Sequence, residues 1–154
     1  SETQIESRNP YAGRLPEFKT YTDDDTLISA TSKAIEEMLG LGITKQDLAV
    51  LTWHGQSTSA LARLDQIGPY TIRRNTGKFD NNRNQIWTNG EILLETVNRF
   101  KGKGAAGIVL TEIDFQALTT KEKQKLFVGL TRTHMLITMI MRPGTMDALI
   151  KQTT

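Results

Sequence analysis

Four almost unbroken apolar runs, separated by segments of helical or turn-forming pattern, predict an α/β domain built on a mostly parallel sheet flanked by helices. The runs are LAVLTW (48–53), ILLETV (92–97), GIVLTEI (107–113) and HMLITMIM (134–141). A strand with one wet face alternates apolar and polar side chains, whereas these runs do not, so each reads as buried on both faces. The chain has 154 residues, enough for one domain with a core of its own and too few for two.

In chain order, residues 1–16 read as a polar, non-periodic leader and 17–154 as a single domain. The Ser1 start suggests a piece of a longer protein. EFKTYT (17–22) predicts a short strand. Asp23, Asp24 and Asp25 then favour a helix N-terminus, where negative charge meets the positive end of the macrodipole. Leu27 or Ile28, Thr31, Ile35, Met38 and Leu39 follow at helical spacing until Gly40 and Gly42, predicting a helix over 24–40. After the first apolar run, Ser57 or Ser59 as cap and Leu61, Leu64 and Ile67 as apolar side predict a second helix, ended by Gly68-Pro69. PYTIRR predicts a strand, and NTGKFDNNRNQ reads as a polar loop. Between the last two apolar runs, Thr119-x-x-Glu122 forms a capping box for a helix over about 120–130.

Composition excludes several classes. The chain has no cysteine, so disulfides, thiolate metal sites and a cysteine nucleophile are out, and a cytoplasmic address fits. His54 and His134 alone cannot assemble a zinc site. The longest apolar stretch, 135–141, falls far short of the roughly 20 residues of a spanning helix, so no membrane segment is expected. Met135, Met139 and Met141 read as core. Net charge is only +2, but its distribution is uneven. Arg73, Arg74, Lys78 and Arg83 face only Asp80, and Arg99, Lys101 and Lys103 cluster within five positions. With Phe79 and Trp87 beside the first cluster, cations for phosphates and rings for bases lie close together, the ingredients of single-strand binding.

Of three glycine motifs, one occurs without its context and two do not occur. GKGAAG (102–107) satisfies G-x-G-x-x-G, yet a strand rather than a helix follows it, so the dinucleotide fingerprint lacks its context. The phosphate loop G-x-x-x-x-G-K-[ST] and the elbow G-x-S-x-G do not occur.

A more specific pattern lies in two later stretches. ETVNRFKGKGAAGIVL (95–110) resembles the fifth motif of superfamily 1 DNA helicases of the UvrD type: Thr96, Val97, Lys101 and Gly102 match, with Asn98 in place of the usual His. LFVGLTRTHMLITMI (126–140) resembles the sixth motif through Phe127, Val128, Gly129, Leu130, Thr131 and Arg132. Upstream, ITKQDLAVL is similar to the entry into the family's second motor lobe, with LAVLTW opening the fourth motif.

The resemblance implies a RecA-like second lobe, compact and without the family's large inserted domain. It also implies that Arg132 reaches the ATP γ-phosphate from this lobe and that Gly102, Gly104 and Gln56 border the nucleotide. Thr96, Asn98, Arg99 and Lys101 would contact single-stranded DNA, and the basic segments read from charge add Lys103, Arg74, Lys78 and Arg83 to that expectation. ATP and Mg2+ would be held mainly by an N-terminal lobe, the implied partner, which supplies the phosphate loop. No metal site is implied in this chain itself.

The match departs from the family at two places. Trp53, His54, Gly55 and Gln56 stand where the fourth motif carries an arginine, and Gly104 replaces the glutamate that touches the ribose. Two alternatives follow. One is a degenerate RecA-like module that binds nucleic acid or a protein without hydrolysing ATP, and the other an unrelated α/β domain that binds a small molecule.

Overall fold

A computed structural model describes residues 15–100, 103–113, 119–121 and 135–153. The elements in order are β1 (Glu17–Thr20), α1 (Asp24–Gly40), a 3-10 turn (Lys45–Asp47), β2 (Leu48–Thr52), β3 (Gln66–Ile67), β4 (Tyr70–Arg73), β5 (Asn75–Phe79), β6 (Gln85–Trp87), β7 (Ile92–Thr96), α2 (Val97–Phe100), β8 (Gly107–Ile113), β9 (Leu136–Met141) and α3 (Pro143–Thr153).

Seven strands form one sheet in the order β1-β9-β8-β2-β7-β4-β3, and every neighbouring pair is parallel except β3 with β4. The α/β class and the mostly parallel sheet read from the apolar runs are therefore present. β2, β8 and β9 are buried along their whole length, as runs without alternation require. Met139 and Met141 are fully buried and Met135 packs against them.

The pleat sorts the core into two clusters. Leu48, Val50, Val109 and Ile140 face α1, meeting Leu27, Ala34, Ile35 and Met38. Ala49, Leu51, Ile108, Leu110 and Met139 face the other way, toward Phe100 and Val97 of α2 and Met146 of α3. Connections that run along the sheet in one direction, β1 to β2 and β2 to β4, cover the first face, while β7 to β8, running back, covers the second. A single handedness of parallel crossovers demands this division.

α1 begins where the acidic run predicts. Asp23 caps it, its carboxylate accepting from the Thr26 N–H at 2.8 Å, while the Thr26 hydroxyl accepts from the Asp23 N–H. The helix ends at Gly40, and Gly42 adopts φ +94° in the turn behind it.

Three local readings change. Residues 53–65 form successive turns, not a helix. Here Ser59 Oγ accepts from the N–H groups of Leu61 and Ala62, and the Gly55 carbonyl accepts from Thr58 and Ser59. Such local bonds compete with a helical ladder, while Leu61 and Ile67 are still fully buried, so the apolar spacing serves the core without a helix. The stretch read as a polar loop is a two-stranded hairpin, β5 with β6. Its tip closes through Asp80, whose N–H donates to the Asn84 carbonyl and whose carboxylate accepts from the Asn82 and Asn84 N–H groups. Helix α3, opened by Pro143 at a position that needs no N–H, has no counterpart in the sequence reading. Of the helix expected over 120–130 only its first residues, Thr120 and Lys121, are described, and both are helical; the leader up to residue 14 lies outside the described residues.

Gly90 supports the edge of the sheet. A Cβ there would sit 2.1 Å from the Ile72 carbonyl carbon, and Ile72 is held in register with Ile92. Gly90→Ala should therefore destabilise the fold by about 1–3 kcal/mol through overpacking. Gly40→Ala, with nothing within 4 Å of its Cβ, should leave the denaturation midpoint almost unmoved; urea unfolding of both variants tests the pair.

The cap makes a pH prediction. The Thr26 N–H and then the Thr26 hydroxyl hold the Asp23 carboxyl below its ordinary 3.8. A carboxyl with a depressed native pKa contributes stability that is complete above its unfolded value and is lost as pH falls through the native value. Asp23→Asn keeps a capping oxygen without the charge, so its melting temperature should fall less than that of the wild type between pH 5 and pH 2 in a thermal melt series.

Candidate functional site at the carboxyl edge of the sheet

Open parallel sheets bind ligands beyond the carboxyl ends of strands, where neighbouring strands send their next segments to opposite faces. β2 and β7 meet that condition. After β2 the chain passes to the α1 face, where Ala60, Leu61 and Ala62 pack, and after β7 it passes to the opposite face as α2. Their ends lie level, with Thr52 paired to Thr96.

A narrow crevice of about 10 Å³ opens there, lined by Thr52, Gln56, Ala62, Arg74, Asn75, Leu94, Glu95 and Thr96. That volume accommodates little more than one water. Gln56 spans it, donating from Nε2 to the Asn75 carbonyl at 2.7 Å. Thr52 Oγ1 donates to the His54 carbonyl at 3.0 Å, turning the chain away from the strand. On the far side, Arg74 donates from Nε and Nη2 to Asp65 Oδ1 at 3.1 and 2.8 Å, and from Nε to the Leu64 carbonyl.

The structure thus brings Gln56, Thr96 and Arg74 together around one crevice. Arg74 is the most committed of the three, with its guanidinium tied to Asp65. Asn98 and Arg99 are exposed on α2, directly after the crevice, and the Arg99 N–H donates to Thr96 Oγ1 at 3.3 Å. Lys103 and Gly104 are exposed in the segment that leads to β8. Lys78 and Arg83 belong to the β5–β6 hairpin and do not line the crevice. Lys101, Gly102 and Arg132 lie outside the described residues.

Two acids that sequence reasoning passed over stand on either side of β2. Glu95, 6% exposed, is the penultimate residue of β7 and accepts from the Thr96 N–H at 3.0 Å. Glu112, 3% exposed, lies near the end of β8, where Leu110 pairs with Met139 and Ile113 with Met141, an extra residue on the β8 side. Its backbone takes φ +59°, an uncommon conformation for a residue other than glycine. Glu112 Oε1 accepts from the Ala60 N–H at 2.8 Å, tying the turns after β2 to β8, and Oε2 is buried without a hydrogen-bond partner. The available signal was an acid inside an otherwise apolar run, in ILLETV and in GIVLTEI, because a carboxylate in a buried strand needs a specific partner.

The neighbouring end of the edge carries a cation and a ring. Arg142, after β9, stacks its guanidinium 5.0 Å from the centre of the Tyr21 ring and donates to the Thr22 carbonyl at 2.8 Å. Burial pushes the Tyr21 hydroxyl above its ordinary 10.0, with Arg142 opposing.

Removing the Gln56 amide should loosen the hairpin root. Gln56→Ala is expected to cost about 0.5–1.5 kcal/mol, the net worth of one hydrogen bond, and to speed amide exchange across residues 75–79 while leaving β8 and β9 protected. Hydrogen-exchange mass spectrometry measures both. No protein-family model matches the chain, and no curated protein matches it significantly.

Proposed function

We propose that this chain is the second, RecA-like motor lobe of a superfamily 1 DNA helicase or translocase. In this reading it lends an arginine to an ATP site completed by another lobe and grips single-stranded DNA. The reading rests most on the register of Thr52 with Thr96. Because of it, the segments that resemble the fourth and fifth motifs end side by side at one edge, where a ligand held between lobes can touch both. The mostly parallel sheet with helices on its faces supports it further.

The crevice itself does not suit a nucleotide. It has room for a water, and the buried Glu95 carboxylate would repel phosphate. ATP would instead lie over the edge, with Gly102 and Gly104 near it, Gln56 bordering it and Arg132 directed at the γ-phosphate. A guanidinium in that position stabilises charge that spreads over the phosphoryl oxygens in the transition state. The phosphate loop and the Mg2+ ligands would come from the other lobe. Thr96, Asn98, Arg99, Lys101 and Lys103 would hold the strand's phosphates.

The missing fourth-motif arginine favours a second reading, a degenerate module that binds nucleic acid without hydrolysis. Arg74, the described cation nearest the crevice, is already occupied by Asp65. The two readings separate on Arg132.

In a protein that joins this lobe to one bearing a phosphate loop, Arg132→Ala should cut ATP turnover about 10³-fold or more. Arg132→Lys should fail almost as badly, since lysine lacks the planar fork that grips phosphate oxygens. Steady-state ATPase assays with melting curves as control check this, and near-normal turnover in the lysine variant would leave the degenerate module as the better reading. The isolated chain should show no ATPase activity with or without single-stranded DNA. It should bind that DNA weakly, and Arg99→Ala with Lys101→Ala should flatten the dependence of affinity on salt in fluorescence anisotropy.

A further inference from the structure

We propose that the β5–β6 hairpin is a base-stacking arm for unpaired nucleic acid, with Phe79 as the stacking surface and Lys78 and Arg83 as phosphate contacts. The proposal rests on the nucleic-acid half of the reading above and requires nothing of ATP hydrolysis.

Four large apolar side chains are conspicuously exposed among the described residues, and two of them, Phe79 at 62% and Ile86 at 39%, belong to this one hairpin. Isolated surface apolar groups need no explanation, but these share a two-stranded sheet with the half-buried Trp87 and have no core to join. Their surroundings are cationic. Lys78 precedes Phe79, Arg83 sits in the turn and Arg73 is exposed at the base, while the one acid between them, Asp80, spends its carboxylate on the turn's own N–H groups. Apolar rings among unpaired cations complement a polyanion that carries aromatic bases, and a strand whose bases are unpaired offers both. An apolar protein surface would leave Lys78 and Arg83 to be desolvated without partners.

The hairpin is also held in position. Gln56 binds the Asn75 carbonyl, and Thr88 Oγ1 donates to the Ile72 carbonyl while accepting from the Arg74 N–H. Asn75 Oδ1 accepts from the Gly77 N–H, and Thr76 Oγ1 donates to the Ile86 carbonyl. Arg83 takes φ +64° at the closing turn, a conformation that asparagine or glycine adopts at lower cost. A backbone held in place beneath the ring lowers the ordering that binding must supply.

The test is fluorescence anisotropy of the whole chain with a strand of about 15 thymidines, near the upper site size of single-strand binders, and with an abasic strand of equal length. The wild type should prefer thymidine. Phe79→Ala should weaken thymidine binding about tenfold and leave abasic binding and the salt slope unchanged, and Phe79→Trp should restore the preference. Lys78→Ala with Arg83→Ala should keep the base preference and reduce the salt slope by about 1.4.

Absence of binding by the wild type, or equal losses on both strands in Phe79→Ala, overturns the proposal, as does a self-association in sedimentation that Phe79→Ala abolishes. Normal binding by the hairpin variants, with binding lost in Arg99→Ala/Lys101→Ala, overturns the stacking arm and spares the motor-lobe reading. The reverse pattern supports the arm and removes residues 99–101 from the DNA path.

Discussion

β2 has no exposed face and no free edge. Leu48–Thr52 is buried throughout, with β8 hydrogen-bonded on one side and β7 on the other. A strand in that position must be apolar at every residue until it reaches the rim, where its last side chain, Thr52, turns its hydroxyl onto the chain's own backbone. The remaining architecture follows from covering both sides of this strand. One helix and a run of turns close the first face, and α2 and α3 pack on the second. Because the coverings leave β2 and β7 in opposite directions, a gap opens between their ends.

Polar groups at that rim are specified as tightly as the core below it. Ala60 reaches Glu112 across fifty-two residues of sequence, Gln56 reaches Asn75, and Arg74 reaches Asp65. Each bond ties a loop to a strand end or to the hairpin, so segments without regular structure are still held in place. Burying Glu112 with one oxygen unmet and its backbone at positive φ carries a cost, and it falls at the rim and not within the sheet. Local departures of this kind concentrate where a surface has some use other than stability.

The central strands were legible because burial on two faces leaves a plain mark, an apolar run without alternation, and GIVLTEI spans β8 residue for residue. The helix over 24–40 was legible for a second reason: its start is marked by three acids and its end by glycine. Around 57–67 the same reasoning failed. Leu61, Leu64 and Ile67 recur at helical spacing, but Ser59 and Gly55 engage the local N–H groups first, and a competition between side-chain and backbone acceptors leaves no trace in apolar periodicity. The hairpin escaped because its strands are short and polar and its turn is set by Asp80, whose role depends on carboxylate geometry. At the site, Gln56 and Thr96 were named through motif position, whereas the register that joins them depends on strand order, which spacing along the chain does not encode. Glu95 and Glu112 were visible as acids in apolar runs, yet their partners come from distant loops.

The pairing of β1 with β9 has a consequence for how the chain is made. Glu17 lies opposite Thr138, so β1 leaves the ribosome roughly 120 residues before its neighbour exists. At about 5–20 residues per second, the wait lasts several seconds or more, far longer than the microseconds in which α1 can form. During that time β1 offers an unpaired edge, with the charged Glu17 and Lys19 within its four residues. Until β9 emerges, this flank of the sheet stays open, the interval in which a chaperone or a neighbouring nascent chain has most to bind.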